Sequence, residues 1–431
     1  MSSSQRWRNL ALTCFSLAAL ATLSSPLLAD GILRDGVGAI PTGRGGTNLG
    51  FADNGNIILD NPGALVNIQG TGLVECGFDI FFPDLAYSDP DNARVSSSNN
   101  PFPMGQIAFI KKSHDGTFAW GLGAFSQAGF STQYELNGPA PLVGPQNYKS
   151  VGALLRVLPS LSVAVTDKWS VGGTLGVAVS HTELEGPYFT QYPTPFRGTP
   201  MLLDLQGTGA GLSWSLGTQY LLSPTTTVGV SFQAKTRIKA DGSARMEIPG
   251  LGQSAFDLDL ETQWPSVLGV GMAHQLSPQT VFSTEVLWTQ WSQAKQSYDM
   301  LLSNPSNPVY QAVLGNSIPE QFPLKWHDSV AVRLGVQHTL AERHIFRAGY
   351  AGHPNPIPAE TLTPFIQAVV EHSLSCGYGW RNGDYGVDLG YQYMFGPDQT
   401  VVHSDFVGGD FDNSTSSASA HWLLASLTRR F

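Results

Sequence analysis

Charge is scarce in this chain. Asp, Glu, Lys and Arg make up 13% of its 431 residues, roughly half the share of an ordinary soluble domain. Cysteine is scarcer: Cys14, Cys76 and Cys376 are the only three. None forms a closely spaced pair, which excludes a disulfide framework and any CxxC or Cys/His zinc motif. Cys76 and Cys376 read as isolated small strand residues, with a single bridge between them as the alternative. Long apolar runs are missing after the N-terminus, which excludes membrane-spanning helices. Excess positive charge is missing too: the net charge is −10, which argues against nucleic acid and against an anionic membrane surface as partners. No Gly-x-Ser-x-Gly elbow occurs, and His338, His344, His353 and His372 lack ligand spacing on one element. No catalytic residue, metal site or cofactor is therefore expected.

The first 29 residues have the parts of an export signal. Arg6 and Arg8 precede an apolar stretch from Leu10 to Leu23, and Leu27-Leu28-Ala29 offers a cleavage site. The stretch is short and is broken by Thr13, Cys14 and Ser16, which disfavours a permanent membrane helix. Losing Arg6 and Arg8 takes the net charge from −10 to −12.

Strict alternation follows. Leu212, Trp214, Leu216, Tyr220 and Leu222 oppose Gly211, Ser213, Ser215, Gly217 and Gln219. Tyr385, Val387, Leu389, Tyr391, Tyr393 and Phe395 oppose Asp384, Gly386, Asp388, Gly390 and Gln392. Val330, Val332, Leu334 and Val336 oppose Ser329, Ala331, Arg333, Gly335 and Gln337. Period two with one apolar face marks strands, and a small, polar second face suits a barrel lumen better than a sandwich core. Tight turns at Asp115-Gly116, Thr166-Asp167, Ser223-Pro224, Ser277-Pro278, Ala341-Glu342 and Asn382-Gly383 join twelve strands. A first strand near Leu73 to Phe82 and a last near Ser419 to Phe431 bring the expectation to fourteen. The fold class expected is all-β: a transmembrane antiparallel β-barrel of about 14 strands, in the outer membrane of a Gram-negative cell. Long outer loops are expected at 83–103, 131–149, 185–207, 240–264, 293–327, 352–369 and 396–418. The C-terminal Phe431 closes an alternating strand and resembles the signal read by barrel-assembly machinery.

Ahead of the strands, Thr42 to Leu65 is rich in Gly and Asn, poor in charge, and ends in Asn61-Pro62-Gly63. A pliable segment before a closed barrel suggests a plug. The chain accordingly divides into a signal at 1–29, an N-terminal hatch at 30–72 and a barrel at 73–431. Two expected loops are unusually apolar. Residues 185–207 carry Tyr188, Phe189, Tyr192, Phe196, Met201, Leu202 and Leu203, and residues 240–264 carry Met246, Ile248, Leu251 and Phe256. They form either a groove for apolar ligands or a cap that packs only on itself. Gly121, Gly123 and Gly129 lie in one strand, where glycine marks a bulge or makes room for a bulky neighbour. The proline-rich 352–364 is a loop that could fold back into the mouth.

These residues resemble the FadL family of outer-membrane transporters for long-chain fatty acids and other hydrophobic compounds. Gly43-Arg44-Gly45-Gly46, Phe51-Ala52-Asp53-Asn54 and Asn61-Pro62-Gly63-Ala64-Leu65 are similar to the family's hatch and its Asn-Pro-Ala signature, with Gly63 at the third position. FSQAGFSTQY, residues 125–134, resembles its kinked third strand. Leu287 to Ser292, Leu324 to Asp328 and Phe346 to Tyr350 resemble further strand ends. The resemblance implies a monomeric barrel in lipid. A hydrophobic small molecule would be captured between outer loops and released sideways past the hatch, at a kink formed by Gln127, Ala128 and Gly129. It also implies basic residues near a substrate carboxylate: Lys325 matches one, and the other falls at His181, whose neutral form would favour a less acidic hydrophobe. With Phe189, Phe196, Leu202 and Phe256 these make the expected substrate site. A water-filled porin for polar solutes and an outer-membrane lipid hydrolase are the competing classes.

Overall fold

The computed structural model describes residues 32–98, 100–191, 196–409 and 411–431. The expected export signal, with Cys14, lies outside the described residues, as does Tyr192. Six strands run unbroken from the start: β1 (Gly72–Asp89), β2 (Phe102–Lys112), β3 (Phe118–Gly138), β4 (Gly144–Thr166), β5 (Trp169–Phe189) and β6 (Pro200–Ser223). The next four each come in two pieces: β7 (Thr226–Gln233 and Thr236–Ile248), β8 (Gly252–Trp264 and Val267–Ser277), β9 (Thr280–Thr289 and Ser297–Ser303) and β10 (Ser317–Pro323 and Ser329–Leu340). Then follow β11 (His344–Gly352), β12 (His372–Asn382), β13 (Tyr385–Phe395) and β14 (Ser414–Arg430). Each pairs antiparallel with the next, and β14 returns to β1 from Leu73↔Arg430 to Ser88↔Thr415, so the wall closes at fourteen strands.

The turns at one end are tight for local reasons. Asp115 accepts bonds from Ser113 and Thr117, and Gly116 takes φ 72°. Ala341 and Glu342 both take positive φ, 49° and 58°, as a two-residue hairpin requires.

The two faces of the wall follow the alternation. Leu212, Leu216 and Leu222 point outward and are 57–64% exposed, while Ser213 and Ser215 are buried. On β13, Tyr385, Val387, Leu389 and Tyr391 face out, while Asp388 and Gln392 face in. Apolar surface left in water forgoes about 25 cal/mol per Å². A continuous outward band of this kind is stable only against lipid.

Beyond that band the wall continues into water, which the sequence reading missed. The expected loops 131–149 and 240–264 are strand hairpins, and 185–207 narrows to residues 190–199 between β5 and β6. Alternation persists there with a different outer face. Ala240, Ala244, Met246 and Ile248 point in, while Lys239, Asp241, Arg245 and Glu247 point out. Asp257, Asp259 and Glu261 do the same on β8. A charged outer face looks like a loop when lipid-facing strands are sought. The apolar residues therefore pack on one another as an enclosed core, with Phe256 against Tyr310 at 5.8 Å.

Inside the wall lies the N-terminal segment, with two short helices, α1 (Ala39–Gly43) and α2 (Ile57–Asp60), and a 3-10 turn (Pro62–Asn67). Ile40, Ile57, Ile58 and Leu65 are fully buried. Ile57, Ile58 and Leu65 pack with Ala108, Ile110, Phe125 and Leu158 of the wall.

Candidate functional site

Between β2 and β3 the wall is open. β2 pairs with β3 only from Lys112↔Ala119 to Gln106↔Phe125. Past that point β2 stays on β1 as far as Phe102, while β3 stays on β4 to Gly138. The register of β3 against β4 slips between Ser126 and Ala128, which makes Gln127 an extra residue and bends the strand. Higher up, Ser98 N donates to Gln133 O at 2.8 Å and the edge is covered again. The result is a window bounded by Phe102–Gly105 on one side and 126–132 on the other.

Two things fill the window. Met104 and Phe102 reach across to Gly129, where a Cβ would lie 2.1 Å from Met104 Cε. The N-terminal segment supplies the rest. Leu33 bridges to Ala128, and Arg34 N donates to Gln127 O at 3.4 Å. The Arg34 guanidinium donates to Ser126 O at 3.1 Å, pairs with Asp79 at 2.6 Å and lies 4.3 Å over the Trp422 ring. The unpaired β3 edge is thus satisfied by the chain's own N-terminal residues.

Leu33 and Arg34 also separate two cavities. One, of about 80 Å³, is lined by Phe81, Leu85, Phe130, Ile366, Met394 and Trp422, and reaches Gly129 at the window. The other, of about 70 Å³, is lined by Leu49, Leu59 and Leu287 together with polar groups that include Gln127, Gln233, Asp60, Glu285 and Arg333. A third, of about 30 Å³, lies among Leu184, Leu203, Leu205, Leu260 and Met300 and shares Phe130 and Ile366 with the first. The two apolar cavities therefore adjoin at Phe130 and Ile366.

The hatch is tied to the wall by buried polar bonds. Asn61 Oδ1 accepts from Gly63 N at 3.2 Å, capping the 3-10 turn, and its amide donates to Leu49 O and Thr218 O at 2.9 and 3.0 Å. Ser162 and Ser170 both donate to Gly63 O. Arg44, wholly buried, pairs with Asp53 at 2.7 Å and donates to Asn48 and Thr47 O. Burial opposes ionisation of Asp53, but Arg44 outweighs it and holds the carboxyl well below the usual range. Among the described residues no cation is in contact with Asp60. Burial pushes it up to about 6, against a bond from Asn48.

The residues expected to hold substrate are not gathered. His181 sits on the outward face of β5, bonded to Thr208 at 2.7 Å and Glu183 at 3.0 Å. Lys325 is exposed at the mouth and paired with Asp405 at 2.8 Å. Leu202 lines a shallow polar groove with Gln146 and Glu247, Phe189 lies half-buried against Gly408, Phe196 is half-buried, and Phe256 is sealed under Tyr310. Of the hatch and kink residues, Asn61 and Gly63 bond to the wall, and Gln127, Ala128 and Gly129 of β3 edge the window. Loop 353–371 folds into the mouth and gives Ile366, Ala368 and Val370 to the first cavity.

Two buried cations escaped the sequence reading. Arg156, 1% exposed on the inner face of β4, donates to Ser213 and Thr236, while its Nε and Nη2 have no partner among the described residues. Lys295 is held by Thr262 and Tyr298 at 2.8 and 3.0 Å, over the rings of Tyr298 and Trp264. Thr236 pairs with Trp264 across β7 and β8, which brings both cations to one level of the lumen. A lone Arg inside the apolar run of residues 151–158 was the available signal. Among the described residues, no group of three His, Cys, Asp or Glu could hold a metal ion.

A closed, lipid-facing barrel with a folded plug defines the class: an outer-membrane β-barrel. The particular family follows from its sequence. Residues 23–431 match the model of the outer membrane protein transport protein family (OMPP1/FadL/TodX), and the chain belongs to that family. Family members are transporters of hydrophobic compounds. Among solved structures, the Ralstonia pickettii toluene transporter TbuX is 20% identical at TM-score 0.73, covering 92% of this chain and 99% of its own. A Pseudomonas aeruginosa FadL homologue is 16% identical at TM-score 0.74, over 93% and 100%. The Pseudomonas putida toluene transporter TodX is 17% identical at TM-score 0.75, over 92% and 99%. At these identities the likeness establishes the fold. Comparison with curated proteins finds no match.

Proposed function

We propose that this chain is a passive channel for uncharged hydrophobic small molecules, which pass through the apolar cavity and leave sideways through the window. The observation that carries it is the contact of that cavity with the unpaired edge of β3 at Gly129 to Thr132. Lateral release has a physical basis, since an apolar molecule gains about 0.8 kcal/mol per buried methylene by staying out of water. Among the described residues, Arg34 is the one cation that lines the cavity, and it is paired with Asp79. The toluene transporters TbuX and TodX are consistent with such a cargo. In this reading residues 1–29 direct export and are removed, residues 30–72 act as the hatch, and Phe431 presents the chain to assembly machinery. The channel works as a monomer in lipid without cofactor or catalysis.

Arg156 favours a second reading, a long-chain fatty acid whose carboxylate would satisfy the guanidinium nitrogens that lack partners. Uptake of labelled toluene and of a labelled long-chain fatty acid, in cells with this chain as their only such transporter, separates the two. Toluene accumulation that falls several-fold in Gly129→Leu, at equal amounts of folded protein, supports the first. Fatty acid uptake lost in Arg156→Gln supports the second. No uptake of either, with sugar conductance in planar bilayers, would overturn both in favour of a porin.

A further inference from the structure

Two separate pieces of chain line the apolar cavity. Ile32, Leu33 and Arg34 form one side, and Ile366, Ala368 and Val370 of loop 353–371 form another. Both pieces converge on one buried contact. His353, the first residue of the loop, places Nε2 3.1 and 3.2 Å from the two carboxyl oxygens of Asp35, the residue after Arg34. Both side chains are about 98% buried. Arg333 of β10 stands 3.7 Å from the same carboxyl and donates to Gly46 O at 3.4 Å. Burial opposes ionisation of Asp35, but His353 and Arg333 outweigh it and hold the carboxyl at about 2. His353 N donates to Glu371 O at 3.1 Å, so the residue sits at the base where the loop closes on itself.

Size turns this contact into a device. Small-molecule sites usually occupy about 300–1,000 Å³, and the cavity holds about 80 Å³. A ligand larger than a few heavy atoms must push the loop and the N-terminal residues apart. We propose that Asp35 and His353 form a latch that resists this separation and couples cavity occupancy to the window. When a ligand parts the two sides, the pair breaks. Arg34, one residue away, is then freed from Gln127 O and Ser126 O, and the β3 edge opens. The latch thus keeps the window shut while the cavity is empty. This rests on the reading of the cavity as the transport site.

The test labels the plug itself. Cys76 and Cys376 are exposed and free, so both are first changed to Ser, and Leu33→Cys is added in the full chain. An uncharged maleimide then reports access to position 33, with and without toluene. In the parent, labelling is slow and toluene accelerates it. Asp35→Asn or His353→Gln, each close in shape to the original, accelerates it by about tenfold or more without toluene. The double variant labels no faster than either single one, because both remove the same link. Folded barrel is checked for each variant by its mobility on unheated gels, and either variant alone suffices for the test. Labelling unchanged in both variants, or a double variant faster than both singles, overturns the latch. Faster labelling in the variants of a parent that takes up no hydrocarbon leaves the latch standing and removes the transport reading.

Discussion

At position 63 the chain has Gly where the family signature has Ala, and the neighbouring wall gives the reason. A Cβ on Gly63 would lie 2.6 Å from Gly217 O, and one on Gly217 would lie 2.2 Å from Asn61 Oδ1. The hatch turn and β6 approach backbone to backbone, so neither can accept a side chain without moving the other. Gly63→Ala should therefore weaken the seat of the hatch by about 1–3 kcal/mol, the usual cost of overpacking. Hydrogen exchange of the amides of residues 61–67 should speed up by about fivefold or more while the wall strands stay protected. Unchanged exchange would show that the turn has room this geometry denies. The glycine was legible in the sequence as a departure. Its meaning was not, because the partner, Gly217, is 154 positions away and nothing local names it.

Among elements, α2 shows how the hatch responds to pH. Asp60 ends this helix and accepts from Asn48 Nδ2 at 2.6 Å, and its value rises from 3.8 to about 6 when the hatch is ordered. The ordered state therefore keeps a proton that the disordered state releases. Ordering weakens as pH rises from about 4 to about 6 and stays weaker above. Asp35 works in the opposite window: its ordered value of about 2 contributes stability above the ordinary 3.8, and that contribution disappears as pH falls towards 2. Exchange protection of residues 48–63 should drop between pH 4 and pH 7, and Asp60→Asn should flatten that drop. A slope that survives the substitution assigns it to another group. Strands with lipid outside and small residues inside were readable by alternation, as in β6 and β13. The same rule hid the outer hairpins of β7 and β8, whose outward faces are charged because they meet water.

For the whole molecule, closure depends on one seam. Thr71 N and Gly72 N donate to Phe431 O at 2.7 and 2.8 Å, and Phe431 N donates to Gly72 O at 3.1 Å. The Phe431 ring lies 4.8 Å from Lys111 Nζ and 6.3 Å from the Phe109 ring. The C-terminal residue thus holds the last strand to the first as well as ending the chain. Phe431→Ala keeps the backbone bonds and loses the ring. It should lower the fraction of chain that runs as folded barrel on unheated gels, both when expressed in cells and when refolded in pure detergent. A defect confined to cells would place the role of Phe431 in assembly machinery alone.

Strand number, lipid-facing surfaces and the presence of a plug were determined by the sequence alone. Each follows from short-range rules: period-two alternation, turn residues, and a low-charge Gly- and Asn-rich segment ahead of them. The cavity and the latch were decided only by the tertiary structure, which also sets what fills the window at the expected kink of Gln127, Ala128 and Gly129. Phe81, Phe130, Ile366 and Trp422 come from four distant segments, and Asp35 meets His353 across 318 positions. A residue pattern reports which way a strand faces. Barrel closure alone decides which residues meet across the lumen, and for that reason His181 and Lys325 stand apart from the apolar cavity while Arg34 and Arg156 lie within the lumen.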